Sequence, residues 1–324
     1  MKNKKLVLIL GAGGGTGKYL VDYMTSFSDD SYEVVGAGRH RCEFVENRIP
    51  YIQMDITQKE EFKKLPDNIY AVIDLAGAMP ARMKDYHPEQ YISTNIVGTF
   101  HILEYCRKHH VDRAIFTQSF GDIKDHAEKN PVLTPSMTPS FRYDTDHTIY
   151  VISKNTAVEM FKCYNAMYGL KTFIFRLPTI YSWSSNDSYY VDGVLRKRAW
   201  RILIDKACKG EPVEIWGDGS RLKDMVYVKD FCQMLFKACF VDRDYGYYNV
   251  GTGVGTSLSD QIKGIIEVFG DEKKSEIIMR PDLPNAPQYV MDISDARNEL
   301  AYEPHYSYLE MLKDMKIEKE LNRF

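Results

Sequence analysis

Tyr150 and Lys154 stand four residues apart in Tyr150-Val151-Ile152-Ser153-Lys154, a spacing that puts both side chains on one face of a helix. By chance, a chain with 23 tyrosines should hold about one or two Tyr-x-x-x-Lys matches. This is the one it holds, and it follows a candidate strand and opens a long helical segment. A tyrosine beside a lysine suits proton exchange with an alcohol or ketone whose carbon trades a hydride with a nicotinamide. Free tyrosine, with a pKa near 10, is a poor base at neutral pH; lowering it by about 3 units takes about 4 kcal/mol of differential stabilisation. Lys154 can supply part of that as an electrostatic tuner, and can also bind a ribose. The strand end Phe116-Thr117-Gln118-Ser119 carries two further hydroxyls. Ser119 can hydrogen-bond a substrate oxygen or simply serve as a turn residue, with Thr117 in reserve.

Elements upstream must hold a cofactor against these groups. The apolar run Leu6–Leu10 leads straight into Gly11-Ala12-Gly13-Gly14-Gly15-Thr16-Gly17 and then a helical segment. A dinucleotide's pyrophosphate has to approach backbone N–H groups at a helix N-terminus, so side chains must be missing where the chain turns and where helix meets strand. Gly11, Gly14 and Gly17 take those positions, with Gly13 and Thr16 beside them. The second strand ends Gly36-Ala37-Gly38-Arg39-His40-Arg41. An acid there would bind the ribose of NAD; Gly38 stands in its place and Arg39 follows, which favours NADP over NAD without excluding NAD.

Short apolar runs alternate with helix-period segments through the first half, the pattern of β-α-β units in a parallel sheet. Strands are expected at Leu6–Leu10, Glu33–Ala37, Ile49–Met54, Ala71–Leu75, Ala114–Gln118 and Lys171–Arg176, with helices near 16–27, 58–64, 88–109 and 146–168. Beyond Arg176 a helix is expected over Val194–Lys209, a strand over Asp224–Val228 returning to the first domain, a helix to about Phe240, and a strand at Tyr247–Val250. The expected fold is α/β: a doubly wound parallel sheet (Rossmann) with a smaller α/β substrate lobe. Residues 1–176 plus about 223–252 form the dinucleotide-binding domain, and about 177–222 plus 253–324 the substrate lobe.

The 324 residues are 44% hydrophobic and 27% charged with net charge −3, which argues against disorder and against nucleic acid or an acidic membrane surface as partner. No apolar run approaches the roughly 20 residues of a membrane span, and Met1-Lys2-Asn3-Lys4-Lys5 lacks a leader pattern, so a cytoplasmic protein is expected. Six cysteines without a C-x-x-C pair read as reduced thiols. The histidines show no ligand spacing, and no metal is expected.

The G-x-x-G-x-x-G spacing together with Tyr150-x-x-x-Lys154 resembles the extended short-chain dehydrogenase/reductases. Thr94-Asn95-Ile96-Val97-Gly98-Thr99, Glu214-Ile215-Trp216-Gly217-Asp218-Gly219, Asp224-Met225-Val226-Tyr227-Val228 and Tyr248-Asn249-Val250-Gly251 are similar to the NAD-dependent epimerase/dehydratase branch, which acts on nucleotide sugars. The resemblance covers nearly the whole chain. It implies that Asp55 and Ile56 flank an adenine, although Asp55 can equally cap the turn at Thr57. It further implies that Leu75, Ala76 and Gly77 face the cofactor with Asn95 and Pro178, and that Ser119 matches the catalytic serine of UDP-galactose 4-epimerases. Met79, Thr179, Arg221, Lys223 and Arg280 would meet the substrate, and a homodimer would pack through the helices of Asn95 and Tyr150.

Departures from the family pattern set the order of activities. Dehydratases carry Asp-Glu after the catalytic hydroxyl residue, whereas this chain has Phe120-Gly121. Nucleotide-sugar epimerisation through a keto sugar therefore leads. An NADP-dependent nucleotide-keto-sugar reductase or dehydrogenase is second, and a non-catalytic NADP-binding sensor third. A non-sugar carbonyl substrate also fits an apolar wall of Met79, Phe120 and the 181–190 segment.

Overall fold

The computed structural model describes residues 4–27, 30–191, 193–270, 274–285 and 287–324. Met1–Asn3, part of the N-terminal stretch read above, lie outside them. Seven strands build the main sheet: β1 (Lys5–Leu10), β2 (Tyr32–Gly38), β3 (Tyr51–Gln53), β4 (Ile69–Asp74), β5 (Arg113–Ser119), β6 (Lys171–Leu177) and β7 (Tyr245–Asn249). They run parallel in the order β7-β6-β5-β4-β1-β2-β3. The apolar runs of β1 and β4, Leu6–Leu10 and Ile69–Ile73, are what a sheet covered on both faces requires. On one face Val7 and Ile9 pack with Leu20 and Met24 of helix α1 (Gly15–Ser26). On the other, Leu8 and Leu10 share a core with Leu103 of α2 (Thr99–Lys108) and Phe161 of α3 (Thr148–Tyr168). The strand order reverses between β1 and β4, which opens a crevice at their carboxyl ends, where doubly wound sheets bind ligands.

The helices that follow include α4 (Ala199–Lys209), α5 (Val228–Phe240), α6 (Leu258–Phe269) and α7 (Tyr308–Leu321). α5 returns to the α1 face of the sheet through Phe231 and Leu235. Beside α4 and α6, Val213–Trp216 pairs in parallel with Ile277–Arg280 to form a smaller α/β layer.

The structure corrects several expectations. Val194–Lys197 is not helical; it pairs antiparallel with Ser188–Val191 around Gly193 at φ +72°, and α4 begins only at Ala199. Periodicity could not separate an exposed hairpin strand from a first helical turn. Asp224–Val228 does not join the main sheet. Leu222–Asp224 pairs with Gly255–Ser257, Tyr227 makes a single bridge to Tyr181, and Val228 already starts α5. Residues Lys59–Lys64 form a tighter 3₁₀ turn. The 88–109 segment is helical in three pieces, with Tyr91–Gly98 wound as wide π turns. β3 is also shorter than expected, and the seventh strand comes from Tyr245–Asn249.

Candidate active site

Glycine at 11 and 17 is dictated by backbone contacts. Gly11 has φ +78°, and a Cβ there would lie 2.8 Å from Ala76 N, so the first loop and the loop after β4 touch across the crevice. A Cβ on Gly17 would come 2.4 Å from Gly11 O, which shows how closely α1 sits on the end of β1. Gly14 occupies the N-cap of α1 without a capping side chain, and the first turn carries no acid. Its N–H groups and positive dipole end are therefore available to an anion, with Gly13 and Thr16 alongside.

At the end of β2, Gly38 is packed against Tyr51. A Cβ on Gly38 would meet the Tyr51 hydroxyl at 2.6 Å, and that hydroxyl donates to His40 O at 2.6 Å. Arg39 is exposed, with its carbonyl held by Gln53 Nε2 at 2.9 Å, whereas Arg41 pairs with Glu46. Asp55 Oδ1 accepts from Thr57 N at 2.9 Å, the turn-capping role, and Ile56 is buried beneath Gly98.

Tyr150, Ser119 and Lys154 converge at the carboxyl end of β5. Ser119 Oγ accepts from Gly121 N at 3.2 Å. Burial pushes the Tyr150 phenol above its ordinary pKa, and the Ser119 hydroxyl pulls it back. Lys154 is 6% exposed, with Nζ 4.1 Å from the centroid of the Phe116 ring. Burial pushes its pKa down and the buried Asp74 carboxylate opposes that. Thr117 is directed instead to Asp74 O at 3.4 Å.

Several positioning contacts were invisible in the sequence. Asn95 Oδ1 accepts from Ala78 N (2.9 Å) while its Nδ2 donates to Ala78 O and to Ser153 Oγ (both 3.0 Å), and Ser153 Oγ donates to Tyr150 O (2.7 Å). With its amide so engaged, Asn95 ties the chain at Ala78, just past Leu75–Gly77, to α3. Gln118 Nε2 reaches Asn155 Oδ1 at 2.5 Å, tying β5 to the same helix. The carboxylate nearest the Phe120-Gly121 pair, Asp122, is buried against Arg176 at 3.0 Å.

Pro178 and Thr179 follow β6, and Thr179 opens a cavity of about 390 Å³ lined also by Arg198, Arg221, Lys223, Trp200 and Tyr308. Lys223 Nζ lies 5.7 Å from the Tyr289 ring centroid, and that ring is 4.9 Å from Phe120, so the cavity adjoins the Ser119 end of β5. Arg198 was not singled out by the sequence; its location at the N-cap of α4 became readable only once the hairpin was resolved. Arg280 is not brought to this cavity, because Glu214 and Asp282 hold its guanidinium. Met79 is 39% exposed ahead of the Pro80–Arg82 turn.

Comparison with known proteins bears on the family and the fold. The profile of the NAD dependent epimerase/dehydratase family matches residues 7–251. A UDP-glucuronate 4-epimerase of Thermodesulfobacterium geofontis is 25% identical over 265 residues, 81% of this chain and 77% of that relative. Among solved structures, a UDP-glucose 4-epimerase from Thermotoga maritima, with UDP-glucose, shares the fold at TM-score 0.77 and 22% identity, covering 97% of this chain and 99% of that one. The Thermus thermophilus UDP-glucose 4-epimerase complex with NAD does so at TM-score 0.73 and 21% identity, covering 96% and 98%.

Proposed function

The chain belongs to the NAD dependent epimerase/dehydratase family, and from that premise we propose that it is an NAD(P)-dependent nucleotide-sugar epimerase. The observation that carries this reading is the meeting of Tyr150, Ser119 and Lys154 with the bare N-terminus of α1 on one side and a cavity with three cations on the other. The loops fit a dinucleotide: Gly11 and Gly17 leave no room for side chains, and α1 leaves its first N–H groups uncapped. Gly11, Gly13, Gly14, Thr16 and Gly17 would hold its pyrophosphate, and Lys154 its ribose. A nicotinamide bound there supplies reversible hydride acceptance, so a keto sugar is the intermediate of this reading.

The protein's own groups handle the proton. Tyr150 takes it from the sugar hydroxyl and returns it, Ser119 hydrogen-bonds the same oxygen, and the Lys154 charge favours the phenolate. Thr179, Arg198, Arg221 and Lys223 would hold the diphosphate. In this reading residues 1–176 and about 223–252 carry the dinucleotide, and about 177–222 and 253–324 carry the nucleotide sugar. In this reading a homodimer would use the exposed Ile92 and Val97 beside Asn95, Phe100 on α2 and Met167 on α3.

A specific observation favours a second reading, NADP-dependent reduction of a nucleotide keto sugar: exposed Arg39 follows a strand end where the Tyr51 hydroxyl would crowd a side chain at Gly38. The test is incubation with UDP-, dTDP-, GDP- and CDP-sugars, with and without NAD or NADP, following products by NMR and nicotinamide absorbance together. Isomerisation without net absorbance change, lost by about 100-fold or more in Tyr150→Phe, is the expected result. Stoichiometric cofactor turnover moves the assignment to the reductase. An unreactive panel removes the nucleotide-sugar reading.

A further inference from the structure

We propose that Asp74, at the carboxyl end of β4, is a positioning residue that keeps Lys154 charged and poised for ligand without contacting it. The inference rests on the assignment of Lys154 above and extends it to a residue that no motif marks.

Asp74 is 1% exposed. Its Oδ1 accepts the Ala76 N–H at 3.0 Å, whereas its Oδ2 is buried without a hydrogen-bond partner. A carboxylate so placed is costly unless a nearby cation offsets it. The sheet register shows where that cation lies. Asp74 is paired with Phe116 across β4 and β5, and the Lys154 ammonium sits over the Phe116 ring at 4.1 Å. Lys154 thus occupies the space above the residue beside Asp74, yet among the described residues it forms no direct ion pair.

That separation is useful. A contact pair would occupy the ammonium's donors, whereas attraction across the Phe116 ring preserves its charge and leaves the donors available for a ribose and for influence on Tyr150.

The surrounding groups leave this role to Asp74. From α2, Cys106 faces it, but burial pushes that thiol far above its ordinary value, with Asp74 adding to the shift, so it remains neutral. From α3, Lys154 has its pKa lowered by burial and raised by Asp74. One turn earlier, burial raises Tyr150. From β5, the facing groups are the Phe116 ring and the Thr117 hydroxyl, and the latter is directed to the Asp74 carbonyl. Asp74 itself is raised by burial and pulled back by Lys154 and by the Ala76 N–H.

The test is the ionisation of Lys154 in full-length protein, read from the side-chain ¹³C resonance that Lys154→Arg removes. Asp74→Asn keeps the acceptor for Ala76 N–H and removes the charge. The Lys154 transition is expected to fall by about one pH unit in this variant, the shift typical of losing a nearby opposite charge. An unmoved transition overturns the proposal, since a purely structural Asp74 would alter melting and leave the titration in place. As a second measurement, Asp74→Asn should raise the melting temperature of a Lys154→Met protein, where Asp74 has lost its cation. If it lowers that melting temperature as much as it lowers the parent's, the two residues are uncoupled and the proposal fails. Titration of the wild type with NAD and NADP on the same samples separates the cases. No dinucleotide binding undermines the proposed function, whereas normal binding with an unmoved Lys154 transition undermines only the Asp74 role.

Discussion

Gly17→Ala should damage the protein far more than Gly15→Ala, although the two positions are separated by a single residue. At Gly17 a Cβ would lie 2.4 Å from Gly11 O, 2.6 Å from Ala12 O and 2.7 Å from Ala12 C. All three are backbone atoms, so no side chain can swing aside. Reaching ordinary contact at 3.4 Å requires a shift of about 1 Å between α1 and the end of β1. Overpacking of this kind costs on the order of 3 kcal/mol, or about 4 °C of melting temperature in a chain of this size. The same displacement moves the uncapped α1 N-terminus, so dinucleotide affinity should drop about tenfold or more. At Gly15 a Cβ meets nothing within 4 Å, and alanine in a helical position should be neutral or stabilising by about 0.5 kcal/mol. Calorimetric melting of the parent and both variants without ligand, followed by NAD and NADP titrations, reads both effects. Equal destabilisation by the two substitutions would refute the argument, as would a Gly17→Ala protein that melts with the parent and binds dinucleotide as well.

Further outcomes follow from buried charge. Arg176→Met leaves Asp122, which Arg176 meets at 3.0 Å with both side chains 2% exposed, as a lone buried carboxylate; the loss should be about 3–5 kcal/mol by urea unfolding, partly restored by adding Asp122→Asn. A loss under about 1 kcal/mol would contradict the pairing. Burial pushes Asp230 up to about 6 from 3.8, against the N–H groups of His305 and Tyr306. A raised folded pKa gives stability that is complete below the unfolded value and lost as pH rises through the folded one. Between pH 3.8 and about 6 the parent should therefore lose ground relative to Asp230→Asn, by up to about 3 kcal/mol. Parallel stability curves would show the shift to be absent. For the cavity, Arg221→Ala and Lys223→Ala should each weaken UDP binding about tenfold. Arg280→Ala should change it less than about threefold, because Glu214 and Asp282 already hold that side chain; calorimetric titration with UDP would show the contrary case directly.

Much of the fold was readable because its signals are local. Leu6–Leu10 followed by glycines is a complete strand-turn-helix statement, and Tyr150-x-x-x-Lys154 carries its own geometry. What failed depends on partners distant in sequence. Val194–Lys197 becomes a strand only because Ser188–Val191 lies opposite, and Asp224 turns inward to accept from Thr252, Gly253 and Met291 rather than continuing a strand into the main sheet. The candidate site divides the same way. Tyr150 and Lys154 announce themselves by type and spacing, and Ser119 by the resemblance at its strand end. Asn95 was marked by its motif, but its clamp between Ala78 and Ser153 is a matter of tertiary packing. Asp74 reads in sequence as a polar strand end, and only the register with Phe116 places it beside the lysine. Arg280 shows the converse: a cation in a suitable sequence context is committed elsewhere by two carboxylates.

The central claim is that a hydrogen leaves a ring carbon of a nucleotide sugar as hydride and returns to the opposite face while Tyr150 handles the hydroxyl proton. It is tested most directly with a UDP-sugar carrying deuterium on the carbon that inverts, incubated with the protein and dinucleotide in ordinary water. The account predicts an epimer that keeps the deuterium on that carbon, with no net change in nicotinamide absorbance. Washout of the label into solvent, or its permanent transfer to the cofactor, would contradict it.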